Sequence, residues 1–372
     1  MAKIGGRIKV GVIGCGNISD IYLSNCRKFD NIEVAACADL IPKRASEKAA
    51  KHGVPRACSV DELLADPEIR IVLNLTIPKA HAEIALRALE HGKCVHNEKP
   101  LATTMKDAAK IMALAKKKKL LVGCAPDTFM GAGLQTCRKV IDDGLIGEPH
   151  AAEAFMMCRG HESWHPDPEF YYKKGGGPML DMGPYYLTAL VSMLGPVKRV
   201  CGAARITFKE RLITSKPKHG QKIKVETPTH IAGVMEFKSG AVGVIITSFD
   251  VAAHVLPNIQ VHGSEGSMLV PDPNGFGGPV RVKRVEWNEW REIPLMHPYA
   301  ENWRGVGVAD MARALQGGHP HRASGALAYH VLEVMTSIIE SEKGRYSNLK
   351  TTCARPAPMP LNNKERVFSV GG

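Results

Sequence analysis

None of the 10 cysteines stands in a C-x-x-C pair, and no Cys/His spacing matches a closed zinc site, so neither a redox dithiol nor a bound metal is expected. An uninterrupted apolar run of membrane-spanning length is also missing. The N-terminal MAKIGGRIKVGVIG moves directly into a strand pattern, without the apolar stretch and processing site of a secretory signal. A soluble, cytoplasmic chain with reduced thiols is the expectation. Acidic residues are the scarcer sign, 37 Asp and Glu against 49 Lys and Arg, giving a formal net charge of +12. That excess suits anionic or phosphorylated ligands and does not by itself indicate nucleic acid; neither a nucleic acid nor a membrane is expected as partner. The densest basic run, residues 116–119, follows a helical pattern and reads as a solvated helix end. With 372 residues, 44% of them apolar, the chain can bury substantial cores and is expected to form two domains.

What is present begins with a short apolar strand, Ile8–Ile13, followed by GCGN and a helical pattern over residues 18–29. Gly11, Gly14 and Gly16 fall near this turn. Gly14 permits a tight strand-to-helix reversal, and Gly16 lets the backbone approach a diphosphate whose charge meets helix N–H groups. Ser19 stands at the third small position of G-x-G-x-x-G, small enough for close packing. The next strand, Ile32–Ala38, ends in Asp39, 23 residues beyond Gly16 and near the spacing of a ribose-binding acid. A carboxylate there bonds the ribose 2′-OH and repels an added 2′-phosphate, which ranks NAD above NADP. Lys43 and Arg44 weaken that preference if either folds back, and a strand-end surface acid is the other reading of Asp39.

Strand and helix continue to alternate: residues 71–75, helix 79–91, strand 94–96, helix 104–118, strand 120–123. Crossovers of this kind favour a parallel sheet, whose ligand loops lie outside the C-terminal strand ends. Thr76, Ile77, Pro78, Glu98, Lys99 and Asp127 are thereby expected on the same rim as the glycine turn. The stretch VHNEKP thus carries Lys99 to a cofactor cleft, with Pro100 restricting its backbone.

After GLIGEPH the pattern changes. A strand is expected over residues 151–158, then the aromatic and proline-rich HESWHPDPEFYYKKGGG, then strands near 197–208, 231–237, 241–249 and 259–262 separated by hairpin-like turns. A largely antiparallel sheet follows, with a final helix over 323–341. Pro184 in PMLDMGPYYLTALVSML is expected near a helix start. Asp181 and Tyr185, four residues apart, share a face if helical geometry begins early enough; otherwise Asp181 is a helix cap and Tyr185 a packed aromatic. Trp164 can stack on a sugar's apolar face while His165 bonds a hydroxyl, or both can serve loop packing. His161 and His165 have i,i+4 spacing, but the intervening tryptophan and following proline give no coherent ligand set, and no metal is expected. Residues 319–322, His-Pro-His-Arg, form a cleft edge or merely precede the last helix.

The glycine turn, Glu98-Lys99-Pro100, the GGG segment before a helix and the later sheet together resemble the Gfo/Idh/MocA family of nicotinamide-dependent oxidoreductases, over nearly the whole chain. The resemblance implies an α/β chain: an N-terminal Rossmann dinucleotide-binding domain, residues 1–125, and a C-terminal α+β domain on a largely antiparallel open sheet, residues 126–372, for substrate binding and oligomerisation, its last helix packing back on the first domain. It implies that Lys99 lies near nicotinamide and the reacting hydroxyl, with a cis bond to Pro100, and that Asp181 orients substrate. One departure stands out: many members have DxGxH where this chain has DMGPY, which puts Tyr185 at the usual histidine. Expected cofactor-binding residues are Gly14, Gly16, Asn17, Ile18, Asp39, Arg44, Thr76, Pro78, His81, Glu98 and Lys99. Lys99, Tyr185 and Asp181 are expected to be catalytic, and Asp127, Trp164, His165, Asp181 and Tyr185 to meet substrate. The implied reaction oxidises a secondary hydroxyl of a sugar, cyclic polyol or glycoside with NAD, Tyr185 taking the proton. NAD-dependent glycoside hydrolysis through transient oxidation, and a nucleotide sensor without turnover, stay open beside it. A homodimer or homotetramer is the implied assembly.

Overall fold

The computed structural model describes residues 6–317, 319–341 and 345–361, in two compact units. The first comprises Met1–Gly131, Met296–Tyr329 and Pro356–Gly372; the second comprises Ala132–Leu295 and His330–Arg355.

In the first unit, β1 (Ile8–Ile13), β2 (Ile32–Ala38), β3 (Ala57–Cys58), β4 (Ile71–Asn74), β5 (Cys94–Asn97) and β6 (Val122–Cys124) form one sheet in the order β3-β2-β1-β4-β5-β6, parallel throughout. These strands read as continuous apolar runs because both faces are buried. The order reverses between β1 and β4, so a crevice opens at the carboxyl ends of those two strands. The crossovers are α1 (Ser19–Cys26), α2 (Pro42–His52), α3 (Val60–Ala65), α4 (Pro78–Glu90) and α5 (Met105–Lys118). Local chemistry sets their ends: prolines open α2 and α4, Ser59 and Glu62 make a capping box on α3, and Thr104 accepts from Asp107 N–H on α5. The basic run closes α5, with Lys116, Lys117 and Lys118 exposed in its last turn. Helix α1 is shorter than the pattern over 18–29.

The second unit opens with α6 (Ala132–Asp142), which has no counterpart in the sequence reading. Its main sheet has nine strands: β7 (Pro149–Met157), β8 (Val197–Arg205), β11 (His230–Phe237), β12 (Val242–Ser248), β13 (Ile259–Gly263), β14 (Gly266–Val270), β15 (Val280–Arg284), β16 (Arg291–Ile293) and β17 (Ser347–Asn348). A separate hairpin joins β9 (Glu210–Leu212) to β10 (Lys222–Lys224). The order is β16-β15-β14-β13-β7-β12-β11-β8-β17, and β7–β12 is the one parallel pairing. Helix α7 (Pro178–Leu194) packs on β7, β11 and β12. On the other face register places Val234 beside Val244 and Ile246 beside Phe155, all half-exposed. Two further helices follow among the described residues, α8 (Val306–Leu315) and α9 (Gly325–Ile339). Pro184 does not start α7: the helix opens at Pro178, and Pro184 lies inside it. No helix among the described residues is long and apolar enough to cross a membrane.

Candidate active site

In the first unit the chain leaves β1 through Gly14, at φ 101°. A Cβ at Gly14 would lie 2.6 Å from the Leu75 carbonyl, so both the backbone angle and the close approach to β4 require glycine. Gly16, Asn17 and Ile18 are exposed, and among the described residues no acceptor is bonded to their backbone N–H groups. Space beside Gly16 is open: a Cβ there would meet no heavy atom within 4 Å. Ser19 is buried, and its hydroxyl donates to Gly16 O at 2.6 Å, closing the turn onto α1. This loop fits the diphosphate of a dinucleotide, with unspent donors at a helix N-terminus.

Asp39 at the end of β2 is half-buried and fixed by the loop itself. Its Oδ2 accepts from Cys15 N–H at 2.7 Å and its Oδ1 from Ile41 N–H at 2.8 Å. A cavity of about 640 Å³ lies beside it, lined in part by Leu40, Lys43, Ser46, Ser59 and Arg87. The cations there face carboxylates, Lys43 lying 3.8 Å from Glu47 and Arg87 paired with Asp61. Arg44 is exposed in the first turn of α2.

The β4 and β5 rims are tied by buried amides. Asn74 Nδ2 donates to Asn97 Oδ1 at 3.0 Å, and Asn74 Oδ1 accepts from the Thr76 hydroxyl at 2.7 Å. Pro78, half-buried, is the first residue of α4. Lys99 is half-buried at the end of β5, and its bond to Pro100 is cis. Glu98 is pinned from two sides, accepting from the Tyr22 hydroxyl at 2.7 Å and from Lys99 N–H at 2.9 Å. It thus holds the lysine's backbone to α1.

Two of the expected ligand residues are buried. His81 is fully buried, with Nδ1 2.7 Å from Pro100 O and Nε2 3.0 Å from Thr76 O, so it braces the rim from beneath. Burial pushes its pKa down. Asp127 is 1% exposed, and its Oδ2 accepts from Gly305 and Gly307 N–H at 2.8 and 3.0 Å, where it stabilises the N-terminus of α8. Burial raises its pKa to about 6.

In the second unit helical geometry begins early enough for Asp181 and Tyr185 to share a face of α7. Tyr185 is buried at 8% exposure; Tyr186 is also buried, and its hydroxyl accepts from Asn258 Nδ2 at 2.8 Å. The loop after β7 lays rings beside Asp181. His161 Nε2 stands 3.3 Å from Asp181 Oδ2, and the His161 ring meets Trp164, Tyr171 and Phe249 edge-on at centroid distances of 5.2, 4.3 and 4.6 Å. Trp164 is 61% exposed. His165 Nδ1 accepts from Asp167 N–H at 3.0 Å, and burial, then the neighbouring His161, lowers its pKa. Arg211 anchors the loop: it donates to Arg159 O at 3.0 Å and lies 3.1 Å from Glu162, which also accepts from the Tyr172 hydroxyl. Among the described residues, no group of three or more His, Cys, Asp or Glu is arranged to hold a metal ion.

Comparison with known proteins bears on both units. Residues 8–125 match a family model described as an oxidoreductase family with an NAD-binding Rossmann fold, and residues 134–269 match the GFO/IDH/MocA C-terminal domain. The chain is 26% identical over 264 residues to the myo-inositol 2-dehydrogenase of Thermotoga maritima, covering 70% of this chain and 75% of that protein. It is 24% identical over 291 residues to the trans-1,2-dihydrobenzene-1,2-diol dehydrogenase of Bos taurus, covering 77% and 80%. A solved levoglucosan dehydrogenase in complex with NADH superposes with a TM-score of 0.79 at 22% identity, over 93% of this chain and all of that one, which shows the shared fold.

Proposed function

Because the chain belongs to the Gfo/Idh/MocA family of NAD(P)-dependent oxidoreductases, we propose that it acts on a secondary hydroxyl of a sugar, cyclic polyol or glycoside, with NAD preferred to NADP. The observation that carries the redox half is the Gly14–Ile18 loop, whose open N–H groups face outward at the start of α1 beside Asp39. NAD preference rests on Asp39, whose charge repels a 2′-phosphate, and on the engagement of Lys43 and Arg87 with carboxylates. When bound, the nicotinamide supplies hydride acceptance or donation.

Within the first unit Gly14, Gly16, Asn17, Ile18 and Asp39 hold the dinucleotide, with Thr76 and Pro78 on the same rim, and Lys99 orients the reacting oxygen. In the second unit Tyr185 takes the hydroxyl proton and Asp181 binds a neighbouring hydroxyl. Trp164 stacks on the substrate's apolar face and His165 bonds another hydroxyl; the exposed indole beside His161, whose ring meets Asp181, is the arrangement that supports a carbohydrate ligand. The open face of the nine-stranded sheet, with Val234, Val244, Ile246 and Phe155 half-exposed, supports a homodimer or homotetramer.

The test is a panel of inositols, aldoses and glycosides assayed with NAD and with NADP, following both the reduced nucleotide and substrate cleavage. Net NADH formation with one class of polyol or sugar is the expected result. Glycoside cleavage without net NADH would replace the dehydrogenase by a hydrolase, and tight nucleotide binding without turnover across the panel would leave only a sensor.

A further inference from the structure

The strongest unexplained feature of the second unit is His161. Its side chain is 12% exposed and its surroundings are apolar rings, Trp164, Tyr171 and Phe249. A phenylalanine would fill such a box as well. A buried ring nitrogen without a hydrogen bond is unfavourable, and Nδ1 has none among the described residues. The polar engagement of the ring is Nε2 against Asp181 Oδ2 at 3.3 Å.

The backbone around His161 is built to hold that ring. Gly160 sits at φ 94°, and a Cβ there would lie 2.3 Å from the Tyr172 hydroxyl oxygen and 2.7 Å from Arg211 Nη2. His161 N–H donates to the Tyr172 hydroxyl at 3.3 Å. The charged and titratable groups packed about the pair are Glu162 and His165 of its own loop, Cys158 beyond β7, Tyr171 and Tyr172, Arg211 of β9 and Asp250 beyond β12. Arg211 lies against Glu162 and Asp250 and donates to backbone carbonyls, Glu162 accepts from the Tyr172 hydroxyl, and Asp250 accepts from the Thr229 hydroxyl. His161 therefore addresses Asp181.

We propose that His161 is the positioning residue of Asp181, its Nε2–H fixing the carboxylate in the orientation that receives a substrate hydroxyl. The inference rests on the reading that Asp181 meets substrate. The Nε2–H donor engages one carboxylate oxygen and limits the orientations open to the group, so the substrate hydroxyl meets an acceptor already in place.

Three variants separate the possibilities, each read by kcat, KM and NAD affinity. His161→Phe keeps the ring contacts and removes the donor; kcat/KM is expected to fall about 100-fold with NAD affinity unchanged. His161→Gln restores a donor and is expected to recover about tenfold of that loss. Near-parental kcat/KM in His161→Phe overturns the proposal. If that variant does not fold, near-parental kcat/KM in a folded His161→Ala overturns it. Asp181→Asn tells this failure from that of the underlying reading. Loss of activity there with a fully active His161→Phe removes only the role of His161, whereas an active Asp181→Asn removes Asp181 from the site and the inference with it.

Discussion

Asp39 has two tasks that a single substitution would expose together. Its carboxylate holds Cys15 and Ile41 N–H, so Asp39→Ala should weaken both nucleotides by loosening the glycine loop. NAD should weaken more, because the ribose bonds are lost from it while electrostatic repulsion is relieved for NADP. Calorimetric titration of both nucleotides with both proteins checks this, and equal losses would contradict it. Tyr185→Phe keeps a buried ring and removes one oxygen; we expect folding and nucleotide affinity to be retained and turnover to drop by about 100 to 10,000-fold. A twofold change in steady-state turnover would move the proton to another group. Asp39 was legible because its distance from Gly16 along the chain reflects one crossover length. His161 was not, since its tie to Asp181 spans 20 residues that run through loop and a short 3-10 turn into α7. Asp127 lies just past β6, and the local pattern carries no sign of Gly305, 178 residues onward, whose N–H bonds its Oδ2.

Among the elements, the turn between β1 and α1 offers the sharpest test. Gly14→Ala places a methyl 2.6 Å from the Leu75 carbonyl at a φ that L-residues rarely adopt. We expect nucleotide binding to fall at least tenfold, measured by NADH fluorescence titration, with a lowered melting temperature; an unaltered affinity would show that the loop does not need its present shape. β1 and β2 were readable to the residue because a largely buried strand is a mostly apolar run, interrupted here by Lys9 and Glu33 and bounded by turn residues. α2 was missed: its sequence, PKRASEKAAKH, has only a thin apolar stripe, Ala45 and Ala49, and Pro42 and Gly53 mark its ends more clearly than its middle. β14 to β16 were missed as well, short strands toward the sheet edge with mixed polarity. The early start of α7 is set by the glycines before it, whereas Pro184 is tolerated inside.

For the molecule as a whole, buried histidines set the response to acid. Burial lowers His330 to about 4 and His96 to about 3, from an ordinary value of 6.5. His330 Nε2 accepts from Val197 N–H at 3.0 Å, an acceptor lost on protonation. Below about pH 6.5 the unfolded chain binds protons that the native state refuses, so stability is full above that pH and is lost as pH falls toward about 4 and then about 3. Asp127, raised to about 6, opposes this: the native state holds its proton between about 4 and 6 while the unfolded chain has released it. Two histidines outweigh one carboxyl, and the urea midpoint should be lower at pH 5 than at pH 7; a flat midpoint would contradict the assignment. The half-exposed apolar face of the second sheet leads to a separate expectation, assembly at micromolar concentration, and sedimentation showing only monomer would reject it.

The first unit is stitched from chain ends that are made far apart in time. Its six strands have all been synthesised by residue 124, yet Asn25 Nδ2 bonds the carbonyls of Asn302 and Arg304, and Asn31 Nδ2 that of Ala309. At ordinary translation rates those partners emerge on the order of ten to thirty seconds later. A nascent sheet in that interval carries amides and the Asp127 carboxylate without their mates, and a chain ending at residue 131 remains in that condition permanently. Vectorial synthesis thus leaves the first unit incomplete long after its sheet is made, so chaperone dependence and degradation of truncated chains should depend on whether translation reaches Ala309.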